Sequence, residues 1–203
     1  MATEHKDVRQ HILDTGKRVI AGKGFSAVGL AEILTAAKVP KGSFYHYFKS
    51  KESFGEALLQ DYFTGYNQCL QKVLSDRSMT AAARLVTYWQ HWQATQEGED
   101  LTGKCLVVKL SAEVADLSEI MREVLRRGTE SLLAHLCACI AEGIQDGSLS
   151  ADLIPEQSAL SLYELWLGAT LLTKLRRDSS ALDQAMLTTR KLLQLPAADI
   201  ASQ

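Results

Sequence analysis

Residues 30–51 read LAEILTAAKVPKGSFYHYFKSK, and this stretch decides the fold. It parses as a short helix from Leu30 to about Ala37, a tight break at Val39-Pro40, a second short helix from Lys41 to Phe48, and the start of a long third one. Ile33 and Leu34 supply an apolar face to the first helix, and Phe44 and Phe48, four apart, supply one to the second. Lys41, Ser43, Tyr45 and His46 then point elsewhere. Two short helices of this kind, each with a small apolar face and a polar, weakly basic remainder, are how a helix-turn-helix packs while presenting one helix to DNA.

The flanking residues support that parse. Val8, Ile12, Thr15, Val19 and Ile20 fall at helical spacing, which predicts a helix from about Asp7 to Ala21, ended by Gly22 and Gly24. Phe25 then plugs the small core, and the next helix begins near Gly29. Pro40 fits the first turn of a helix, where its missing N–H costs nothing. Gly42 lets backbone approach a groove closely. Ser50 reads as the cap of the following helix, and a helix start with a lysine beside it, here Lys51, suits a DNA phosphate.

From there the chain is helical to its end. Phe54, Leu58, Tyr62, Tyr66, Cys69 and Val73 form one stripe out to about Leu74, with no Pro/Gly/Ser-rich linker. Further helices are expected from Met79 to about Gln96, from Thr102 to Val114, from the opening Asp116-Leu117-Ser118-Glu119, with Ser118 as its cap, to near Gly147, from Pro155 onward, and from about Ala181 to Leu193. Along the helix that Pro155 starts, Leu162, Leu165, Trp166, Ala169 and Leu172 mark one face and Tyr163, Leu167, Thr170 and Lys174 another, so burial on both sides is expected there. The fold class is all-α, with about nine helices. The division expected is 1–50 as a helix-turn-helix DNA-binding domain and 51–203 as a helical effector-sensing and dimerisation domain.

Charge agrees with the division. The net charge is -2, but residues 1–60 hold nine Lys/Arg against six Asp/Glu. Only the N-terminal part carries the sign that phosphate requires. No signal peptide and no apolar run of membrane-spanning length is visible, which predicts a cytoplasmic protein. The four cysteines, Cys69, Cys105, Cys137 and Cys139, show no metal spacing. They read as free thiols in a reducing compartment, with no metal and no cofactor expected.

The segment PKGSFYHYFKSKE at 40–52, with GKGFSAVGLAEILTAAKV at 22–39, resembles the recognition helix and its lead-in in the TetR family of bacterial transcription regulators. Where that family usually offers Ser or Thr as a cap and phosphate contact, this chain has Val28 and Gly29. The resemblance implies a homodimer, joined through its C-terminal helices, on a palindromic double-stranded DNA operator. On the recognition helix, Lys41, Ser43 and His46 are the candidates for base edges, with Gly42 clearing the approach. Tyr45 and Lys51 are the candidates for phosphate.

A second stretch, KCLVVKLSAEVADLSE at 104–119, together with ELWLGATLLTKL at 164–175, resembles one branch of the family, the N-ethylmaleimide-responsive, electrophile-sensing repressors. Related acrylate-responsive repressors share the cysteine-leucine pair. The resemblance implies that Cys105 is a sensing residue, that Lys174 is its partner, and that the regulated genes serve detoxification. The branch usually has Gly before the cysteine, and this chain has Lys104. A free thiol has a pKa of about 8.5 and is mostly unreactive at neutral pH unless something stabilises the thiolate. An ammonium does so, and Lys104 is adjacent in sequence while Lys109 lies four residues on, one helical turn away. Such a thiol adds to quinones, maleimides and unsaturated aldehydes or is oxidised. By periodicity alone, a cysteine in an apolar helix is more often a small buried hydrophobe. The alternative function is a regulator of the same type induced by a non-covalent hydrophobic molecule in an aromatic-lined pocket of the body. An enzyme is not expected, because no histidine lies near the Cys105 segment to serve as general base. Non-specific DNA packaging is disfavoured by the net acidic charge.

Overall fold

The computed structural model describes residues 2–97 and 105–195. Among these, nine helices and no strand are found: α1 (Ala2–Lys23), α2 (Leu30–Ala37), α3 (Lys41–Tyr47), α4 (Lys51–Leu74), α5 (Ala81–Glu97), α6 (Leu106–Leu117), α7 (Glu119–Gln145), α8 (Pro155–Arg176) and α9 (Ser180–Leu192). They fall into two compact units whose boundaries lie inside α4, between Tyr66 and Asn67, and inside α7, between Thr129 and Glu130. The all-α expectation holds.

The first unit is built from α1 to α3, the first part of α4, α6 and the start of α7. Ile12, Leu13 and Ile20 of α1 are buried with Val28, Ile33 of α2 and Phe44 of α3. α1 ends where Gly24 takes φ +96, and the Gly24 N–H reaches back to the Ile20 carbonyl at 2.8 Å. A positive φ is cheap only for glycine, so the α1–α2 turn is set by this residue. Gly29 is the N-cap of α2, with no side-chain cap bond. α4 begins with a reciprocal cap: the Ser50 N–H donates to Ser53 Oγ at 2.9 Å and the Ser53 N–H to Ser50 Oγ at 3.0 Å. These bonds satisfy first-turn N–H groups that would otherwise lack partners.

The second unit holds the rest of α4, α5, most of α7, α8 and α9. Its centre is Leu85, Trp89, Leu136, Ile140, Leu162, Trp166 and Leu182, all fully buried. The Trp89 and Trp166 rings stack at 4.9 Å. Trp92 donates its ring N–H to Thr170 Oγ1 at 2.9 Å, and Trp166 to Thr189 Oγ1 at 2.8 Å. The tryptophans are therefore core members with their polar edges satisfied at these two positions. A buried arginine belongs to the same unit: Arg84 donates to the Leu74 carbonyl and to Glu142 Oε2, the latter at 2.9 Å. The α8 expectation needs refining. Tyr163 and Thr170 join Leu162, Trp166 and Ala169 on the buried side. Together they make one wide inward stripe, as expected of i, i+3, i+4 and i+7 positions. The second apolar surface is carried instead by Leu160, Leu171, Leu172 and Leu175, all exposed, with Leu187 and Leu192 exposed on α9.

Candidate DNA-reading surface and thiol site

α3 is two turns long, and Phe44 anchors it. The Phe44 ring lies 5.2 Å from Phe48 and 5.6 Å from Phe54, and it is fully buried. With that side held in, Lys41, Gly42, Tyr45 and His46 are exposed and Ser43 is half-buried. All five residues expected to face DNA from α3 thus lie on or beside its open side. The Lys41 ammonium stands 5.8 Å above the Tyr45 ring, which steers both side chains to one patch. A methyl group on Gly42 would meet no atom within 4 Å, so nothing among the described residues requires glycine there.

Lys51 is placed differently. Its ammonium donates to the Phe25 carbonyl at 2.7 Å and lies 4.6 Å above the Phe25 ring. Burial pulls its pKa below the ordinary lysine value, against an opposing pull from Glu113. The cation is engaged by the α1–α2 turn, a partner 26 residues away that no local pattern announces.

Cys105 is the N-cap of α6, in extended conformation at φ -66 and ψ 108. Its side chain is buried, and the Tyr62 hydroxyl of α4 donates to its sulfur at 4.0 Å. The helix expected from Thr102 begins at Leu106 among the described residues, so Cys105 stands at the end of the helix and not along its face. Burial pushes the thiol pKa up. The N–H of Val108, the Tyr62 hydroxyl and the N–H of Val107 pull it down without overcoming burial. The closed thiol is thus protonated and shielded, where the sequence led us to expect accessibility and a low pKa.

Of the expected cationic partners, Lys104 lies outside the described residues. Lys109 sends its ammonium to the Gly22 carbonyl at 3.2 Å. Lys174 is exposed in the last turn of α8, in the second unit. Sequence reasoning missed two residues of this region. Tyr62 read only as part of an apolar stripe, yet its hydroxyl meets Cys105. Glu113 accepts hydrogen bonds from the N–H groups of Phe25, at 3.0 Å, and Ser26. The other cysteines are free: Cys69 is exposed, Cys137 half-buried and Cys139 buried, with burial raising Cys139 to about 11.

Comparison with known proteins follows the same two regions. Residues 12–58 match a family described as bacterial regulatory proteins, tetR family, and residues 81–189 match the tetracyclin repressor-like C-terminal domain. The chain belongs to the TetR family. As a TetR-family protein it is a helix-turn-helix transcription regulator, with α2 and α3 as the motif. The HTH-type transcriptional repressor NemR of Escherichia coli is 41% identical over 197 residues, covering 96% of this chain and 98% of that protein. The HTH-type transcriptional repressor DhaR of a Mycobacterium species is 37% identical over 177 residues, covering 87% of each. The crystal structure of the reduced form of E. coli NemR superposes with a TM-score of 0.88 at 39% identity, covering 95% of this chain and 100% of that one. Among the described residues, no helix is long and apolar enough to cross a membrane, and no group of three or more His, Cys, Asp or Glu side chains could hold a metal ion.

Proposed function

We propose that this TetR-family regulator is a cytoplasmic repressor that leaves its operator when a reactive electrophile or oxidant modifies Cys105. The observation that carries the reading is the position of that sulfur, at the α6 N-terminus with the Tyr62 hydroxyl against it. A helix N-terminus and a hydroxyl donor both favour a thiolate once the site opens. The thiolate adds to the carbon–carbon double bond of a maleimide, quinone or unsaturated aldehyde. A sulfur–carbon bond forms, the adjacent carbon takes a proton from water, and the original thiol proton leaves to solvent. Lys174 is the proposed partner, as in the branch that the sequence resembles, with Lys104 and Lys109 as further cations of the segment. The names NemR and DhaR, both repressors, support repression. No turnover is part of the proposal, since one adduct per thiol suffices.

Residues 1–50 act in it as the reading head, with Lys41, Ser43 and His46 toward base edges and Tyr45 toward phosphate; Lys51, the first residue of α4, is the further phosphate candidate, with ammonium protons left beyond the one given to Phe25. Residues 51–203 carry sensing and dimerisation. The exposed leucines of α8 and α9, Leu160, Leu171, Leu172, Leu175, Leu187 and Leu192, form the proposed subunit contact. An apolar surface of this kind marks an association site, and two heads are needed to read a palindrome.

The deciding experiment is operator binding by wild type and Cys105→Ser, with and without N-ethylmaleimide, on DNA from upstream of the gene. Wild type is expected to lose about tenfold or more in affinity on treatment, while the variant holds. If both hold, Cys105 is a packing residue; if both release, Cys69, Cys137 or Cys139 is the switch. One observation favours a second reading, a non-covalent ligand among the aromatics: Trp89 Nε1 and Thr173 Oγ1 are buried without a hydrogen-bond partner among the described residues. That reading predicts reversible induction surviving in a protein with all four cysteines replaced.

A further inference from the structure

We propose that Glu113 is the positioning residue through which a change at Cys105 reaches the DNA-reading helices. This inference rests on the electrophile-sensing reading above. Its basis is the way the α1–α2 turn is held. The Glu113 carboxylate accepts the Phe25 N–H at 3.0 Å with one oxygen and the Ser26 N–H with the other. One turn earlier on α6, the Lys109 ammonium donates to the Gly22 carbonyl at 3.2 Å. From the start of α4, Lys51 donates to the Phe25 carbonyl at 2.7 Å. Three charged side chains from two helices thus grip the backbone of residues 22–26.

The turn is shaped for that grip. Gly24 sits at φ +96, and a Cβ there would stand 3.1 Å from Glu113 Oε2. The Phe25 ring is buried against Gly55, where a Cβ would come to 2.7 Å of the ring. Bonds from backbone N–H to a carboxylate are roughly twice as strong as neutral ones. Burial pushes the Glu113 pKa up, yet the bonds from Ser26 and Phe25 and the nearby Lys109 charge hold it below the ordinary value. The carboxylate is therefore ionised at neutral pH.

Cys105 and Glu113 are on one rigid element. With a rise of about 1.5 Å per residue, the carboxylate's residue stands about 12 Å along α6 from the sulfur's. An adduct does not fit beside a buried sulfur, so the α6 N-terminus must shift to accommodate it. The two N–H bonds either carry that shift into the turn or break. The turn leads directly into the Gly29 N-cap of α2, and α2 packs with α3. The Lys109 bond to Gly22 ties α6 to the same backbone just before the reading helices.

The test uses the full-length protein. Amide hydrogen exchange at Phe25 and Ser26 is measured before and after N-ethylmaleimide, in wild type and Cys105→Ser, with operator affinity followed in parallel samples. In wild type, exchange at both amides is expected to speed up about tenfold or more as the operator is released. In Cys105→Ser neither amide should change. Glu113→Gln removes the charge at nearly constant shape. Its two amides should exchange fast before treatment, Cys105 should be alkylated at the wild-type rate, and treatment should change operator affinity by less than about threefold. Operator release by wild type with Phe25 and Ser26 unchanged would overturn the proposal. So would a wild-type response from Glu113→Gln. If wild type is alkylated at Cys105 and keeps the operator, the electrophile-sensing reading itself fails and takes this inference with it. Should folded Glu113→Gln not bind operator even untreated, the wild-type exchange result decides.

Discussion

Helix α3 and the Cys105 thiol sit in the same compact unit and are opposites in readiness. On α3, Phe44 is fully buried and Tyr45, its neighbour in sequence, is 48% exposed. Lys41, Gly42, Tyr45 and His46 meet solvent as the chain stands. At the start of α6, Cys105 is 7% exposed, and its thiol pKa is raised by burial. The first surface needs only a partner. The second must open before it can react. For the electrophile sensing proposed above, the contrast teaches that burial holds back both access to the sulfur and its ionisation. A closed thiol also resists casual alkylation while the reading surface stays available.

Four experiments press on this contrast. The largest effect is expected from Phe44→Ala, which removes the anchor beneath the open surface. It should destabilise the protein by about 3–5 kcal/mol in urea unfolding, as for other buried phenylalanines. A change under 1 kcal/mol would show that α3 is held by something other than its aromatic core, on a scale where about 1 kcal/mol is the typical single-mutant effect. Next is Lys41→Gln, on an exposed residue. Operator binding should weaken by about 1–3 kcal/mol while the unfolding temperature stays put. Equal losses in both would mean that Lys41 is structural and that the surface is not free-standing.

The smallest effect concerns the thiol. Its raised pKa means that the thiolate is a minor species at neutral pH and grows as pH rises. The rate of N-ethylmaleimide addition, followed by intact mass, should climb about tenfold per pH unit from pH 7 and show no plateau by the ordinary thiol pKa of about 8.5. A plateau near neutrality would mean an ionised thiol and would erase the contrast with α3. Tyr62→Phe removes a hydroxyl that stabilises the thiolate, and should slow the reaction a further few-fold at fixed pH.

Much of the reading head was legible in the sequence because its determinants are local. Phe44 and Phe48 at helical spacing and Ser50 before α4 each act within a turn of themselves, and the structure puts them in those roles, whereas Pro40, expected in the first turn of α3, is its N-cap in extended conformation. Ser118 was legible for the same reason: its hydroxyl accepts the Met121 N–H at 3.3 Å at the start of α7. That the same hydroxyl donates to Glu52 at 2.5 Å was not legible, since Glu52 is 66 residues away. The expected helix from Thr102 shows the limit from the other side. Periodicity carried it through Cys105, whereas the structure has α6 beginning just after that residue, and cap geometry, not apolar pattern, decides which way such a side chain points.

Sequence alone therefore determined the all-helical architecture, the helix-turn-helix and the residues that α3 turns outward. Helix periodicity and caps are set by neighbours within about four positions, so they survive without knowledge of the fold. Only the tertiary structure decided what the charged and reactive groups do. It turned Lys51 onto Phe25, Lys109 onto Gly22 and Glu113 onto the Phe25–Ser26 amides, and it closed Tyr62 over Cys105. Those partners lie 26, 87, 88 and 43 residues apart, and burial and charge pairing at such separations are properties of the packed chain.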